Sequence, residues 1–218
     1  MTDEVRLYRR RIVRLSPSSD SRRDAERAAV RELLAEAFGR EVKLLHDTCG
    51  RPSVEGFPHF ISISHSREEA VLAVSRGCPV GVDVETWRDA LVATASKWLT
   101  PRQLEHMHAD IDYLRAWTAK EAVYKAMPEQ PPGLMGIPLA HLGEESLYEV
   151  RWEGGKEGMV ALALPVGRGI SQCCSLKECT HRSRDMPWHV TQRDTHAQMT
   201  APLVHAFGDM PWHVPTAS

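Results

Sequence analysis

The sequence predicts a mixed α+β fold, and two kinds of pattern support this prediction. From Val80 to Glu85, valines alternate with other residues, and a repeat of two is typical of a β-strand whose two faces differ. Apolar residues recur at helical spacing over residues 25–38 and 116–126. With 218 residues, 42% of them hydrophobic, the chain can bury a core as one domain or as two small lobes.

Composition limits the partners and the compartment. A formal charge of −2 gives no general attraction to nucleic acid or to an anionic membrane. No apolar run approaches the roughly 20 residues of a membrane-spanning helix, and residues 1–14 lack the apolar segment of a secretory signal. Five cysteines at irregular spacing do not describe a disulfide framework. We therefore expect a cytoplasmic protein with reduced thiols and with no nucleic-acid or membrane partner.

The chain opens with a basic segment followed by a helix. Residues 5–14 contain five arginines and no acid, which predicts an edge strand whose basic side chains face water or an anionic ligand. Ser21 and Asp24 have the spacing of a capping box, and the helix that they begin is predicted to end at Gly39. Its first turn carries Arg22, Arg23 and Arg27. Because a cationic first turn opposes the helix dipole, these arginines indicate either plain surface or a nearby anion.

Three side chains in the middle of the chain are candidates for phosphate contacts. The tight turn Cys49-Gly50-Arg51-Pro52 leaves the basic side chain of Arg51 projecting. A strand over residues 59–66 alternates isoleucine with serine and has Ser64 and His65 at its polar end. Hydroxyls, backbone amides and an imidazole at a strand end can bind phosphate oxygens, although His65 is equally well explained as an ordinary strand-end histidine.

The acids Asp83 and Glu85 share one face of the alternating strand. Two-residue spacing sets them roughly 6.5 to 7 Å apart, a span that one hard divalent cation and its oxygen ligands can bridge. The preceding segment, residues 70–75, reads as another strand, and residues 77–79 form a turn. The resulting hairpin is expected to place the acids in the same sheet as the polar strand end.

A helical stripe supplies a third acid and a cation. Trp117, Glu121 and Lys125 fall four residues apart, so they line one side of a helix. If this helix packs on the acidic strand, three carboxylates and a lysine surround one point, an arrangement suited to binding a metal and a phosphate ester. The alternative is that the acids are solvated charges and that Glu121 with Lys125 is an ordinary helix pair worth about 0.2 to 0.5 kcal/mol.

Local signals define the remaining elements. We expect a helix over residues 87–99, a short helix over 101–108 capped by Thr100, and a hairpin over 146–164 that turns near Gly154-Gly155. Asp110 or Asp112 is expected to begin the helix that carries Glu121.

The C-terminal segment differs in character. The hexapeptide of residues 185–190 recurs at residues 209–214, and five of the eleven histidines lie in this tail. Two copies are too few for a repeat fold. The cysteines and histidine between residues 173 and 181 match no zinc spacing, so we favour a final strand followed by a mobile tail over a metal site.

Four segments, in this order and spacing, resemble the 4'-phosphopantetheinyl transferase superfamily. They are Gly50-Arg51-Pro52, Ser62-Ile63-Ser64-His65-Ser66, Gly81-Val82-Asp83-Val84-Glu85 and Trp117-Thr118-Ala119-Lys120-Glu121-Ala122-Val123-Tyr124-Lys125. The sequence is most similar to the larger, pseudo-dimeric type that acts on carrier proteins of fatty-acid, polyketide and nonribosomal peptide biosynthesis. Ser62 stands where this family commonly has asparagine. The resemblance implies an α+β fold of two related lobes with pseudo-twofold symmetry and an active site in the cleft between them.

The resemblance also implies roles for single residues. Asp83, Glu85 and Glu121 would be the ligands of Mg²⁺. Glu121 would also deprotonate the acceptor serine, directly or through a bound water. Lys125 would neutralise the pyrophosphate as its bond breaks. Contacts with coenzyme A are expected at Arg23, Arg51, Ser64, His65 and Lys125, with Arg51 facing the 3'-phosphate.

These expectations define a reaction and a domain organisation. Residues 1–86 would form the N-terminal lobe, 87–170 the C-terminal lobe, and 171–218 the final strand and a histidine-rich tail. The expected reaction moves 4'-phosphopantetheine from coenzyme A to a serine of an acyl or peptidyl carrier protein, needs Mg²⁺, releases adenosine 3',5'-bisphosphate and is performed by a monomer. Two alternatives are a metal-dependent nuclease or phosphohydrolase that uses the same acids, and a noncatalytic module that binds coenzyme A or a carrier protein.

Overall fold

The computed structural model describes residues 5–13, 19–166 and 177–179, all within the compact unit that ends at Cys179. In chain order, the elements up to residue 85 are β1 (Val5–Arg11), α1 (Ser19–Phe38), β2 (Leu44–His46), β3 (Pro52–Val54), β4 (Phe60–His65), β5 (Glu69–Ser75) and β6 (Gly81–Glu85). They are followed by α2 (Ala90–Ala93), α3 (Pro101–Leu104), α4 (Asp110–Ala126), β7 (Tyr148–Gly155), β8 (Gly158–Pro165) and β9 (Lys177–Cys179). Short 3-10 turns lie at Ala95–Lys97 and Ala140–Leu142.

The larger strands form two sheets. One sheet has the order β4-β5-β1-β9, in which β9 runs parallel to β1 and the other neighbours are antiparallel. The second sheet is antiparallel and has the order β6-β8-β7. Strands β2 and β3 pair separately. The mixture of helices with sheets that are mainly antiparallel confirms the predicted α+β class.

Apolar side chains arrange these elements in layers. Leu33 and Leu34 of α1 pack against one face of the four-stranded sheet. The opposite face of that sheet, which includes Val71, packs against Val82 and the rest of the apolar face of the second sheet. The other face of the second sheet is covered by α4. Burial of apolar area stabilises each layer by about 25 cal/mol per Å², and the layers place β6 directly beneath α4.

The basic strand β1 is interior to its sheet, so the expectation of an edge strand was wrong. Its neighbours are β5 and β9. The arginines of β1 contact carboxylates from other elements: Arg9 pairs with Glu69 at 2.8 Å and with Glu153 at 3.0 Å, and Arg10 pairs with Glu32 at 2.6 Å and Glu36 at 3.0 Å. The charge that suggested an exposed strand is therefore neutralised by long-range partners.

The expected hairpin between β5 and β6 is also wrong. Ser75 ends β5, and its hydroxyl accepts a hydrogen bond from the Cys78 amide at 3.3 Å. The chain then leaves the first sheet, and β6 pairs with β8, with Gly81 opposite Ala163. The acids and the polar end of β4 consequently lie in different sheets. Their proximity depends on how the sheets pack against each other.

Most other predicted boundaries are close to those observed. Helix α4 begins at Asp110, the hairpin of β7 and β8 is present, and α1 ends before Gly39, whose φ of 69° suits glycine. Thr100 forms a capping box with Gln103, as expected, but α3 ends at Leu104. The helix expected over residues 87–99 is divided into α2 and a 3-10 turn.

Helix α1 begins at Ser19, so Ser21 lies inside the helix and the expectation that it begins the helix was wrong. Several other expectations remain untested. The repeated hexapeptide and the cysteine and histidine group of the tail lie outside the described residues and side chains. The two lobes bounded at residue 86, their pseudo-twofold symmetry and the cleft between them stay predictions. None of the helices in the described ranges combines the length and the apolar composition of a membrane-spanning segment.

Candidate active site

Gly81 allows the acidic strand to pack directly on the helix that carries Glu121. A side chain at this position would overlap the carbonyl oxygen of Ala122, and its Cβ would lie 2.8 Å from the amide nitrogen of Ala126. Because glycine has no Cβ, the strand and helix backbones can approach this closely. Asp83 lies two residues further along the same face of β6 and therefore also points toward α4.

Lys125 is the centre of the polar contacts between β6 and α4. Its Nζ donates hydrogen bonds to Oδ1 of Asp83 at 2.8 Å, to Oγ of Ser64 at 3.1 Å and to the carbonyl of Val82 at 3.2 Å. Oγ of Ser64 donates to the same Asp83 oxygen at 2.8 Å. An ammonium group has three protons, so these contacts account for all of its donors. The structure thus brings three of the predicted site residues together.

Two serines of β4 connect the two sheets at this point. Strand β4 is at one end of its sheet order, and β6 is at one end of the other. Oγ of Ser62 accepts a hydrogen bond from the Val82 amide at 3.0 Å, and Ser64 bonds to Asp83. Ser62, where asparagine was the common residue, thereby holds the backbone of β6 with its hydroxyl. These side-chain hydrogen bonds bring β4 and β6 together, whereas a hairpin was expected to place them in one sheet.

Glu121 lies one helical turn before Lys125 and is electrostatically linked to the same group. Burial and the negative charges of Asp83 and Glu85 raise the pKa of Glu121, Lys125 and Arg88 oppose the rise, and the net effect moves this pKa from an ordinary value of 4.5 to about 7. A carboxyl group with a pKa near neutrality can both accept and release a proton under physiological conditions.

Glu85 shares the face of Asp83 but has other partners. Its Oε1 accepts a hydrogen bond from the Thr86 amide and its Oε2 accepts one from Nη2 of Arg88, both at 3.0 Å. Burial raises the pKa of Glu85, and Arg88 opposes that rise. The structure therefore places Glu85 near the Lys125 group, with its carboxylate bound to Arg88.

His65 ends β4 beside the Lys125 group. Its Nδ1 lies 3.9 Å from Oε1 of Glu26 on α1, and the same Glu26 oxygen accepts a hydrogen bond from Nε of Arg22 at 2.7 Å. Burial lowers the pKa of His65, and the charges of Lys125 and Arg22 lower it further, while Glu26 raises it. The two cations are therefore opposed by the carboxylates of Glu26 and Asp83, and a further anion bound here would raise the pKa of His65.

The two other predicted basic residues lie apart from this group. The amides of Arg51 and Cys49 both bond to Oδ1 of Asp47, which confirms the tight turn. The guanidinium of Arg51 donates to the carbonyl of Pro128 just after α4, and its Nε is buried without a hydrogen-bond partner among the described residues. Arg23 is exposed on α1, and among the described residues it makes no contact with Lys125.

The donor chemistry of the three acids suits a hard divalent cation, because carboxylate oxygens are the ligands that Mg²⁺ prefers. Among the described residues, however, no three or more histidine, cysteine, aspartate or glutamate side chains lie close enough together to hold a metal. Asp83 and Glu85 both raise the pKa of Glu121, so the three carboxylates repel one another. A bound cation would offset this repulsion.

The segment that contains β6 and α4 also matches a known protein family. Residues 79–149 match the family model of the 4'-phosphopantetheinyl transferase superfamily. The resemblance read from the motifs is therefore confirmed for this part of the chain. A match to this superfamily indicates a transferase that moves phosphopantetheine, and the family acts on carrier proteins with coenzyme A as donor. No curated protein matches the chain.

The superfamily match covers some predicted site residues and not others. It includes the acids Asp83, Glu85 and Glu121, together with Lys125, but it covers less than half of the chain. The remaining predicted residues, Arg23, Arg51, Ser64 and His65, precede the matched segment. Ser64 is nevertheless hydrogen-bonded to two residues within it.

Sequence reasoning did not single out Glu26, Arg88 and Lys120. Glu26 and Arg88 each form a pair with a neighbour three or four residues away, and such pairs are common on any surface. Lys120 is fully buried, and its Nζ donates to the carbonyls of Leu134 at 2.9 Å and Ile137 at 2.8 Å. Burial lowers the pKa of Lys120 to about 8. Nothing in the helical spacing distinguishes a buried lysine from an exposed one.

Proposed function

We propose that this protein transfers the 4'-phosphopantetheine arm of coenzyme A to a serine of an acyl or peptidyl carrier protein. The serine oxygen forms a bond to the β-phosphorus of the coenzyme A pyrophosphate. The bond between this phosphorus and the bridging oxygen breaks, and adenosine 3',5'-bisphosphate leaves with that oxygen. The serine proton passes to a base on the protein. Atoms and charge therefore balance without an oxidant or reductant.

The contact between Lys125 and Asp83 is the main observation that supports this proposal. The ammonium lies 2.8 Å from a carboxylate that is itself almost fully buried, with a side-chain exposure of 8%. A cation held in this way is preorganised, so it can stabilise the negative charge that develops on phosphate oxygens without first being ordered. We assign Lys125 to the pyrophosphate, for which it would exchange one of its three present hydrogen bonds.

Glu121 is the proposed base. A pKa of about 7 lets the carboxylate take a proton from the attacking hydroxyl, directly or through a water molecule, and later release it to solvent. Its position one turn before Lys125 puts the base and the charge-stabilising cation on the same side of α4.

Asp83, Glu85 and Glu121 are the residues that would hold Mg²⁺. When bound, the ion supplies positive charge to the phosphate oxygens in the manner of a Lewis acid. The oxygen donors of the three carboxylates and their mutual repulsion support this assignment, and the side chains would have to move closer together to hold the ion, because no such group of three lies close enough among the described residues. Apart from this, Asp83 also holds Lys125, and Glu85 keeps Arg88 at the edge of the site.

Coenzyme A would contact the basic and hydroxyl side chains around this group. Ser64 and His65 lie at the end of β4 next to Lys125, and to bind a phosphate the Ser64 hydroxyl would exchange its hydrogen bond to Asp83 for one to the phosphate. The Nε donor of Arg51, which is without a partner among the described residues, supports a contact with the 3'-phosphate. Arg23 is assigned to the nucleotide by the family resemblance alone.

The acceptor and the setting are also part of this proposal. The carrier protein would be one of fatty-acid, polyketide or nonribosomal peptide biosynthesis, and it would dock in its apo form. The active protein would be a cytoplasmic monomer of two lobes, residues 1–86 and 87–170, with the donor bound between them.

One assay tests this function against the two alternatives. The full chain is incubated with coenzyme A, Mg²⁺ and an apo carrier protein, and the mass of the carrier protein is measured by mass spectrometry. Gain of the mass of the arm, only when coenzyme A is present, supports the proposal. Hydrolysis of nucleic acid or of simple phosphate esters without coenzyme A would favour the phosphohydrolase. Binding of coenzyme A without any gain of mass would favour the noncatalytic module.

A further inference from the structure

Arg88 contacts the proposed metal ligands without being one of them. Its Nη2 donates to Oε2 of Glu85 at 3.0 Å, while the other oxygen of Glu85 accepts from the Thr86 amide at 3.0 Å. Both carboxylate oxygens of Glu85 therefore already accept a hydrogen bond from within the chain. A divalent cation that approached Oε2 would meet the positive guanidinium of Arg88 on the same atom.

A second contact keeps Arg88 close to α4. Its guanidinium lies over the ring of Trp117, 5.5 Å from the ring centroid. Trp117 is itself fixed by Trp98, whose ring meets it edge-on at 5.1 Å. Trp117 and Glu121 are one turn apart on α4, so the contact with Trp117 holds the charge of Arg88 next to the turn that carries Glu121. Arg88 is thus bonded to one proposed ligand and held near the helix that carries a second.

The two ion pairs of the site differ in how easily a divalent cation can replace the lysine or the arginine. The Lys125 and Asp83 side chains are 17% and 8% exposed, whereas those of Arg88 and Glu85 are 46% and 22% exposed. An exposed pair is weakened by water and salt, so it can be replaced by a partner of higher charge. Arg88 is therefore the cation of this site that a divalent ion can displace most easily.

We propose that Arg88 competes with the divalent cation for Glu85, so that it limits how tightly the site binds metal. This inference rests on the proposed function, since it assumes that Glu85 is a metal ligand. Arg88 would hold the Glu85 carboxylate in place when no ion is bound. The ion would then release the guanidinium from Oε2, and Trp117 would retain it at the edge of the site.

The test uses Mn²⁺ as the probe, because it prefers the same oxygen ligands as Mg²⁺ and its unbound fraction can be measured by electron paramagnetic resonance. Arg88→Gln removes the charge from the exposed side chain. We expect the Kd for Mn²⁺ to fall about two- to fivefold, the size of an exposed ion pair. Arg151→Gln is the matched control, because Arg151 pairs with Glu149 at 3.0 Å and is 43% exposed. Its Kd should equal that of the parent protein.

Other outcomes would overturn the inference in distinguishable ways. The competition is rejected if the Kd for Mn²⁺ of Arg88→Gln is equal to or higher than that of the parent protein. The proposed function stays intact in that case if Asp83→Asn loses the Mn²⁺ binding that the parent protein shows. If the Kd for Mn²⁺ of Arg151→Gln falls as much as that of Arg88→Gln, the effect comes from net charge alone, and the competition is also rejected. If Asp83→Asn binds Mn²⁺ as well as the parent protein does, both the inference and the proposed metal site fail.

Discussion

Nζ of Lys125 lies 2.8 Å from Oδ1 of Asp83, and this pair joins helix α4 to strand β6. Ser64 bonds to both partners, so residues from three elements meet at one carboxylate oxygen. The pair has a structural role, since it satisfies a buried charge, and a proposed chemical role, since it fixes a cation beside Glu121. Variants at these positions can separate the two roles.

Replacing Lys125 by methionine should lower both stability and activity. The change leaves the nearly buried carboxylate of Asp83 without its cation, and we expect a loss of about 1.5 to 3 kcal/mol in the free energy of unfolding. Transfer of the arm should slow about 10²- to 10³-fold, as when one stabilising donor is removed from an active site. Urea denaturation and initial rates under conditions where the variant is folded measure the two effects.

Lys156→Met provides the matched control for this variant. Lys156 pairs with Asp110 at 2.7 Å, but both side chains are about half exposed, at 56% and 45%. Its loss should cost no more than about 1 kcal/mol and should not change the rate. Equal effects of the two variants would contradict the special role of Lys125.

Gly81→Ala should disrupt the contact between β6 and α4. The new methyl group would overlap the Ala122 carbonyl, so strand and helix must separate, at a cost of about 1 to 3 kcal/mol. Gly133→Ala is the comparison, because a Cβ at Gly133 would have no atom within 4 Å. Thermal denaturation of both variants measures the difference. A Gly81→Ala protein as stable as Gly133→Ala would show that the close packing is unnecessary.

Glu121 should make stability depend on pH. Its pKa is raised in the folded protein from 4.5 to about 7, so between these values the folded state binds more protons than the unfolded state. The free energy of unfolding should then fall as the pH rises from about 4.5 to about 7. In Glu121→Gln this part of the pH dependence should be absent. Denaturant titrations at pH 5 and pH 7.5 test the sign, which would be reversed if the carboxylate were stabilised in its ionised form.

Glu26→Gln should change the protonation of His65. The Glu26 carboxylate raises the pKa of His65 against burial and two nearby cations, so its neutralisation should lower that pKa further. A titration of the imidazole by NMR measures the change. Glu32 is an exposed glutamate on the same helix and pairs with half-buried Arg10, so Glu32→Gln should leave the titration of His65 unchanged. An unchanged His65 titration in Glu26→Gln would show that the two side chains do not interact.

Local sequence patterns were sufficient to predict the face that Asp83 occupies. Alternation along β6 put Gly81, Asp83 and Glu85 on one side, and helical spacing put Glu121 and Lys125 together on α4. Both predictions depend only on the periods of a strand and a helix, which are fixed by backbone geometry. The contact of Lys125 with Asp83 follows once these two surfaces pack.

These local patterns could not predict which distant strands and which distant charged side chains pair with each other. The acids leave the sheet of β5 because β6 pairs with β8, about eighty residues further along the chain, and no short motif specifies that partner. The arginines of β1 look exposed until Glu69 and Glu153 are brought beside them. Lys120 is similar, since its burial depends on the Leu134 and Ile137 carbonyls of the segment after α4.

The most direct measurement is the initial rate at which the folded Glu121→Gln variant adds the phosphopantetheine arm to an apo carrier protein. Glu129→Gln serves as its control, because Glu129 is an exposed glutamate just beyond α4. We expect the Glu121 variant to lose at least about a hundredfold in rate, while the Glu129 variant matches the parent protein. Equal rates in all three proteins would contradict the assignment of the active site to β6 and α4.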